Sequence, residues 1–142
     1  MKLVDANVLL YADNQDADPH EASNGWLTQA LSGIETLVVP WLNVVSYLRI
    51  STNPAYHRDP NSLRQSLDFI RTVLSAPTVI PGEPDSQHLD RMSELLAATG
   101  RGGNLINDAH LAALALQYEA TVITYDNDFG RFPGVRWERP SR

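Results

Sequence analysis

Short apolar runs alternate with longer stretches of helical periodicity along the 142 residues of the chain. The apolar runs are continuous and rich in β-branched residues, which is typical of strands buried on both faces of a parallel sheet. They predict four strands and a shorter fifth one, at residues 2–4, 36–39, 78–80, 121–124 and 135–138. The pattern therefore indicates an α/β fold with a mostly parallel central sheet of four to five strands, covered by helices on both faces.

Between the strands, apolar residues recur at the three- and four-residue spacing of amphipathic helices. The predicted helices run through residues 8–11, 18–31, 41–51, 59–74, 84–99 and 107–118. Asp18 and Pro19 together are a typical start for the second of these helices. In the third, the spacing of Leu42, Val45 and Leu48 predicts that these side chains face the core.

The composition is that of one globular domain spanning residues 1–142, with 43% apolar and 20% charged residues. Cysteine is absent, which excludes disulfides, thiolate nucleophiles and cysteine-ligated metals. The net charge of −6 disfavours a broad nucleic-acid-binding face, but it is compatible with an enzyme that reaches nucleic acid through bound cations. No run of about 18 apolar residues is present, so we expect a soluble cytoplasmic protein with no membrane association.

Four aspartates fall where a parallel sheet places its functional sites. Asp5 ends the first strand, Asp126 and Asp128 follow the fourth, and Asp108 opens the helix that leads into the fourth. Each has a structural alternative as a helix cap or a turn residue. Gathered together without basic partners, however, they would repel one another, and a divalent cation would relieve that repulsion. Oxygen-only ligands favour Mg²⁺ or Mn²⁺.

Other chemistries find less support in the sequence. The histidines, at positions 20, 57, 88 and 110, have no metal-ligand spacing and are interpreted as surface or helix residues. No glycine-rich phosphate-binding loop is present. Phosphatase-like and receiver-like α/β domains also place an aspartate after the first strand, but they usually need a lysine late in the chain, and Lys2 is the only lysine here.

Three segments together resemble a known family. Residues 5–12 (DANVLLYA) resemble the opening of PIN-domain ribonucleases, especially the VapC toxins of toxin–antitoxin pairs. Residues 104–113 (NLINDAHLAA) resemble the VapC segment that carries the third acid, and residues 124–134 (TYDNDFGRFPG) resemble the closing motif. The sequence departs from the family at Ser46, where a glutamate usually precedes a Leu-Arg pair on the helix after the second strand.

The resemblance implies a parallel α/β/α sandwich and a Mg²⁺- or Mn²⁺-dependent endoribonuclease. Such an enzyme would hydrolyse RNA with a metal-activated water and so inhibit translation. Asp5, Asp108 and Asp126 would be the catalytic and metal-binding acids, with Asp128 beside them as a further metal ligand. The resemblance also implies a homodimer and a cognate VapB-type antitoxin. We expect the antitoxin tail to be basic where it meets these acids, because they would attract a cationic side chain.

Further residues have expected roles on this model. Asn7 and Thr124 would hydrogen-bond the acids, and Ser46 would act there through its hydroxyl or a water molecule. Arg49 and Arg131 would contact RNA phosphates or, alternatively, pair with nearby acids. The main alternative is a non-catalytic PIN-fold interaction module whose metal site is degenerate because of the missing glutamate. The aromatic residues at positions 26, 41 and 47 are candidates for burial in a partner.

Overall fold

A computed structural model describes residues 1–141 of the protein. Five parallel strands form one sheet in the order β3-β2-β1-β4-β5, with the strands at Lys2–Val4, Leu37–Val38, Val79–Ile80, Thr121–Ile123 and Trp137–Glu138 in chain order. Helices α1 to α6 span Ala6–Asp13, His20–Ser32, Trp41–Ser51, Leu63–Ser75, His88–Thr99 and Leu105–Gln117. A short 3-10 helix follows β4 at Asn127–Arg131. Within residues 1–141, no helix is both long enough and apolar enough to cross a bilayer.

All strand pairs in the described sheet are parallel, so the predicted α/β fold is confirmed. Strand β1 lies in the middle between β2 and β4. Val4 of β1 is in register with Ile123 of β4, so the residues that follow them, Asp5 and Thr124, leave the sheet side by side. This register brings polar side chains from two segments that are far apart in sequence together at the carboxyl-terminal end of the sheet.

The core lies on both faces of the sheet, because alternate strand residues point in opposite directions. Leu3 and Val122 pack on one face with residues of α5 and α6, whereas Val4 and Ile123 pack on the other with residues of α1, α2, α3 and α4. Both faces of the sheet are buried, so successive strand residues such as Leu3 and Val4 must be apolar. This is why continuous apolar runs in the sequence predicted the strands correctly.

The predicted inward face of α3 is correct for Leu42 and Leu48, which are partly buried against the core, and wrong for Val45. Val45 is 58% exposed, whereas Asn43 and Tyr47 are buried. Asn43 donates a hydrogen bond from Nδ2 to the backbone oxygen of Val4 at 2.8 Å, and the Tyr47 hydroxyl donates to Asp13 Oδ2 at 2.7 Å. Polar side chains can be buried in a core when they form hydrogen bonds there. The spacing of hydrophobic residues alone does not reveal the groups that would accept those hydrogen bonds.

Several helices begin away from their predicted starts. Asp18 does not cap α2, which begins after Pro19 without a side-chain cap. Helix α4 begins at Leu63 instead of near residue 59, because Ser62 and Gln65 form a reciprocal capping box. Helix α5 begins at His88, four residues after the predicted start, and ends as predicted.

The predicted partner-facing aromatics do not all reach the surface. Tyr47 is fully buried and Trp26 is 9% exposed, so these two side chains belong to the core. Trp41 is 54% exposed at the start of α3, one helical turn before the exposed Val45. Of the three aromatics, only Trp41 is available to a partner.

Candidate metal centre

The site is built where β1 and β4 end next to each other. Asp5 leaves β1 in an extended conformation and caps α1, because its Oδ1 accepts the Ala6 backbone N–H at 2.7 Å. Asp126 caps the 3-10 helix in the same way, with its Oδ1 accepting the Asp128 backbone N–H at 2.8 Å. The capping alternative is therefore correct for Asp5, whereas Asp126, expected as a turn residue, is also a cap and Asp108 is not one. The two caps fix both carboxylates at the carboxyl-terminal end of the sheet.

Thr124 connects the two strand ends through its buried hydroxyl. The Oγ1 atom donates a hydrogen bond to Asp5 Oδ2 at 2.8 Å and accepts one from the Asp126 backbone N–H at 2.9 Å. Asn7 joins the network: its Nδ2 lies 3.3 Å from Thr124 Oγ1 and 3.4 Å from Asp5 Oδ2, and its Oδ1 accepts the Tyr125 N–H at 3.3 Å. Asn7 and Thr124 therefore contact the acids as the sequence predicts.

Three carboxylates lie close together beside this hydrogen-bond network. Asp108, in the first turn of α6, contributes an oxygen that lies within 4.8 Å of oxygens from Asp126 and Asp128. We call these three residues the acidic trio. The predicted central set was Asp5, Asp108 and Asp126, with Asp128 beside it. In the structure, Asp128 belongs to the closest group, and Asp5 lies behind it with both oxygens hydrogen-bonded.

Burial, and after it the repulsion between the acids, raises the proton affinity of the site. The pKa of Asp108 rises from 3.8 to about 8, because burial, a hydrogen bond with Asp126 and the charges of Asp126, Asp5 and Asp128 all disfavour its ionised form. Burial also raises the pKa of Asp5, although the hydrogen bonds from Thr124 and Ala6 oppose that effect. Metal-free Asp108 therefore holds a proton near neutral pH, and a bound cation would displace that proton.

The prediction that the acids lack basic partners is wrong for one of them. Arg131 Nε lies 3.1 Å from Asp128 Oδ1, one turn away on the 3-10 helix, so of its two predicted roles the pairing with an acid occurs here. Arg49 is exposed on α3. Ser46 is half-buried, and none of the hydrogen bonds within residues 1–141 joins its hydroxyl to the four acids.

The donor set of the acidic trio fits a hard divalent cation. Every ligand atom is a carboxylate oxygen, which Mg²⁺ and Mn²⁺ prefer and which Zn²⁺ and Cu²⁺ do not select. Burial and the neighbouring acids both disfavour the ionised form of Asp108, and within residues 1–141 only Asp128 of the trio has an ion-pair partner, Arg131. A cation would supply the missing positive charge, and water would complete its coordination shell.

The sequence comparisons identify relatives that cover nearly the whole chain. A model of the PIN domain matches residues 2–135. Ribonuclease VapC37 of Mycobacterium tuberculosis is 41% identical over 140 residues, which are 99% of this chain and 97% of that protein. Ribonuclease VapC31 of the same species is 35% identical over 99% of both chains.

Solved structures show the same fold at lower sequence identity. One is VapBC2 from Rickettsia felis bound to a DNA fragment from its promoter, with a TM-score of 0.66, 21% identity and 97% of each chain covered. Another is VapBC-1 from nontypeable Haemophilus influenzae, with a TM-score of 0.67, 19% identity and coverage of 97% and 96%. At these identities the likeness establishes the architecture.

Proposed function

The chain belongs to the PIN-domain family, and from that premise we propose that it is a metal-dependent endoribonuclease, the VapC-type toxin of a toxin–antitoxin pair. The observation that supports this most directly is the acidic trio at the carboxyl ends of β1 and β4. An oxygen-only cluster with a raised proton affinity is suited to hold Mg²⁺ or Mn²⁺. The name of the 41%-identical relative, a ribonuclease, supports RNA as the substrate.

The acidic trio would hold the cation, with Asp5 adding negative charge from behind. When bound, the cation neutralises charge on the phosphodiester and lowers the pKa of a coordinated water, which favours hydrolysis. Asp108 must give up its proton for this site to form. Thr124 keeps Asp5 and Asp126 at a fixed separation, because one hydroxyl hydrogen-bonds the side chain of one and the backbone of the other.

We propose that Arg131 contacts the substrate as well as an acid. Its side chain is 49% exposed while it pairs with Asp128, so its guanidinium can also reach a phosphate at the mouth of the site. Arg49 is exposed on α3 and adds a second candidate phosphate contact. These two arginines would place positive charge beside the substrate in a chain whose net charge of −6 otherwise opposes RNA binding.

We also propose a VapB-type antitoxin as partner, homodimerisation and a cytoplasmic location. The neighbouring structures are named as VapBC assemblies, which supports an antitoxin. Trp41 and Val45 form an exposed apolar pair on α3 and are candidates for the dimer contact.

A basic residue of the antitoxin would pair with the carboxylates of the acidic trio. We therefore expect Asp108→Asn to bind the antitoxin more weakly than the wild type, with an affinity that depends less on salt concentration. If the wild type and Asp108→Asn bound the antitoxin with equal affinity across a salt series, the antitoxin would inhibit through a surface other than the acidic trio.

The second candidate function is a non-catalytic interaction module. Two observations favour it: Ser46 occupies the position of the family glutamate, and Arg131 already neutralises Asp128. On this alternative the fold and the partner surface remain, but the acidic trio does not bind a cation strongly enough for catalysis. Cation binding separates the two candidates directly.

Purified protein would be incubated with total RNA in Mg²⁺, Mn²⁺ or EDTA, and the RNA ends would be mapped. We expect cation-dependent cleavage at discrete sites. Asp5→Asn and Asp126→Asn should lower the rate by orders of magnitude while circular dichroism stays unchanged. Asp68→Asn, on the exposed face of α4, is the matched control and should be fully active. No cleavage together with no cation binding would favour the interaction module.

A further inference from the structure

The ladder of hydrogen bonds between β1 and β2 lacks a backbone donor at its last position. Lys2 of β1 is in register with Leu37 of β2, and its N–H donates to the Thr36 carbonyl at 3.1 Å. In a parallel pair a residue bonds to both neighbours of its partner, and every second residue faces the same adjacent strand. This register directs the Val4 carbonyl towards the backbone nitrogen of Pro40, and proline has no N–H to donate.

Asn43 supplies the missing donor from its side chain. Pro40 is the N-cap of α3, and its carbonyl accepts the Asn43 N–H at 2.9 Å, which places Asn43 in the first turn of α3. Its Nδ2 donates to the Val4 carbonyl at 2.8 Å, and the residue is only 2% exposed. Because a buried carbonyl without a donor is costly, this side chain replaces the hydrogen bond that the sheet cannot make.

The hydrogen bond from Asn43 acts on the peptide unit that leads into Asp5. The Val4 carbonyl and the Asp5 N–H belong to one planar peptide unit. On the β4 side, the Asp5 N–H donates to the Ile123 carbonyl at 3.0 Å, and on the β2 side Asn43 binds the carbonyl. Two hydrogen bonds from opposite sides therefore fix this plane, and with it the direction in which the Asp5 side chain leaves β1.

The contacts of the Asp5 carboxylate depend on that direction. Its Oδ1 accepts the Ala6 N–H at 2.7 Å and its Oδ2 accepts the Thr124 hydroxyl at 2.8 Å, so a rotation of the preceding peptide plane would lengthen both. The sequence predicts that Ser46 connects α3 to the acids, but Asn43, one turn earlier, makes the connection instead.

We propose that Asn43 is a positioning residue for the metal centre. By replacing the N–H that Pro40 lacks, it fixes the peptide plane before Asp5 and thereby holds the Asp5 carboxylate behind the acidic trio. In this role Asn43 acts through Asp5 and touches neither cation nor RNA. Its effect on cation binding and cleavage rests on the proposed function, whereas its effect on the geometry of Asp5 does not.

Hydrogen exchange of the full chain in EDTA, followed by NMR, measures the geometry of Asp5 without any cation. The Ala6 amide, which donates to Asp5, is the reporter, and the Asp128 amide, which donates to Asp126 at 2.8 Å, is the internal control. In Asn43→Ala we expect the Ala6 amide to exchange at least about tenfold faster, with the Asp128 amide unchanged. Wild-type exchange at Ala6 would overturn the proposal.

A second substitution tests the replacement of one donor by another. Pro40→Ala restores a backbone N–H opposite the Val4 carbonyl, so on its own it should leave exchange at the Ala6 amide unchanged. Combined with Asn43→Ala, it should recover part of the lost protection at Ala6. Equal exchange in Asn43→Ala and in the double variant would mean that the packing of Asn43 matters and its hydrogen bond does not, which would refute the proposal.

Calorimetric titration with Mg²⁺ and cleavage kinetics relate this geometry to the proposed function. Asn43→Ala should bind Mg²⁺ about 10–100-fold more weakly and lose a similar factor in kcat. The KM for RNA should change little, because Asn43 is buried and does not reach the substrate. The double variant with Pro40→Ala should recover part of both losses.

Tyr47→Phe is the matched control for stability. It removes another buried hydrogen bond of α3, the one to Asp13, so it should unfold more easily but keep the wild-type Mg²⁺ affinity and kcat. Equal losses of Mg²⁺ affinity in Asn43→Ala and Tyr47→Phe would assign Asn43 a general structural role and overturn the proposal. A wild type that neither binds Mg²⁺ nor cleaves RNA would refute the proposed function, and exchange at the Ala6 amide would still decide whether Asn43 positions Asp5.

Discussion

Replacing Asp108 with asparagine should stabilise the metal-free protein, and increasingly so as the pH rises. The substitution keeps the shape of the side chain and removes a carboxyl group whose ionisation the folded protein resists. Folding raises the pKa of this group from 3.8 to about 8. The folded wild type therefore holds a proton that the unfolded chain has already released between these pH values. Its free energy of unfolding falls as the pH rises through that window.

The magnitude follows from the pKa difference. Each pH unit is worth about 1.4 kcal/mol, so the interval from pH 5 to about 8 corresponds to at most about 4 kcal/mol. Asp108 is half-buried, and solvent screening reduces this by roughly half, to about 2 kcal/mol. For a domain of this size, 2 kcal/mol corresponds to roughly 6–8 °C in melting temperature.

The assay is thermal unfolding of both proteins in EDTA at pH 5, 7 and 9. The two proteins differ only at position 108, so the difference between their melting temperatures isolates Asp108. We expect the variant's advantage to grow by several degrees from pH 5 to pH 9. Saturating Mg²⁺ should reverse the order at pH 9, because only the wild type offers the ionised Asp108 to the cation.

A constant difference between the two proteins from pH 5 to pH 9 would refute the reasoning. It would mean that the pKa of Asp108 in the folded protein is close to its ordinary value. Neither burial nor the neighbouring acids would then disfavour its ionised form. A variant that is less stable at every pH would assign Asp108 a structural role in the first turn of α6 instead.

Three further predictions test other parts of the account. Mg²⁺ or Mn²⁺ at about a hundred times its dissociation constant should stabilise the wild type by about 2.7 kcal/mol, and a thermal shift that persists in Asp126→Asn would remove that residue from the metal site. Thr124→Val should cost about 10–100-fold in metal affinity or cleavage rate, with rescue by Thr124→Ser, since only the hydroxyl bridges Asp5 to Asp126; a fully active valine variant would argue against the bridge. Tyr47→Phe should lower the free energy of unfolding by about 1–3 kcal/mol in a denaturant titration, because it removes the 2.7 Å hydrogen bond to the Asp13 carboxylate. An unchanged denaturation midpoint would mean that the hydrogen bond from Asn61 is sufficient for that carboxylate.

The sheet could be predicted from sequence because its strands carry a strong local signal. A continuous apolar run such as Thr121–Ile123 has few alternatives, and parallel pairing requires burial on both faces. Helix phase was harder, as α3 shows. Its inward positions include Asn43 and Tyr47, whose polar atoms find partners on α1 and at the end of β1, and such partners are far away in sequence.

The same distinction applies to the candidate site. The four aspartates could be found because strand ends and helix starts are visible in the sequence, and parallel topology brings them together. Which three lie closest depends on the turn after β4, where Asp126 caps the 3-10 helix and turns Asp128 inward with it. The contact of Asn43 with Val4 depends on how α3 docks on the end of β1, for which the sequence carries no local signal.

The chemistry of the cleaved RNA ends tests the central claim most directly. Once a cleavage site is mapped, the same oligonucleotide would be made with a 2′-deoxy sugar at that position, and both substrates would be incubated with the wild type and with Asp126→Asn. Hydrolysis by water at the acidic trio predicts that both substrates are cut, with no 2′,3′-cyclic phosphate, and that EDTA or Asp126→Asn stops the reaction. Cyclic phosphate ends, loss of cleavage on the deoxy substrate, or full activity in EDTA would contradict a metal-dependent hydrolase at this site.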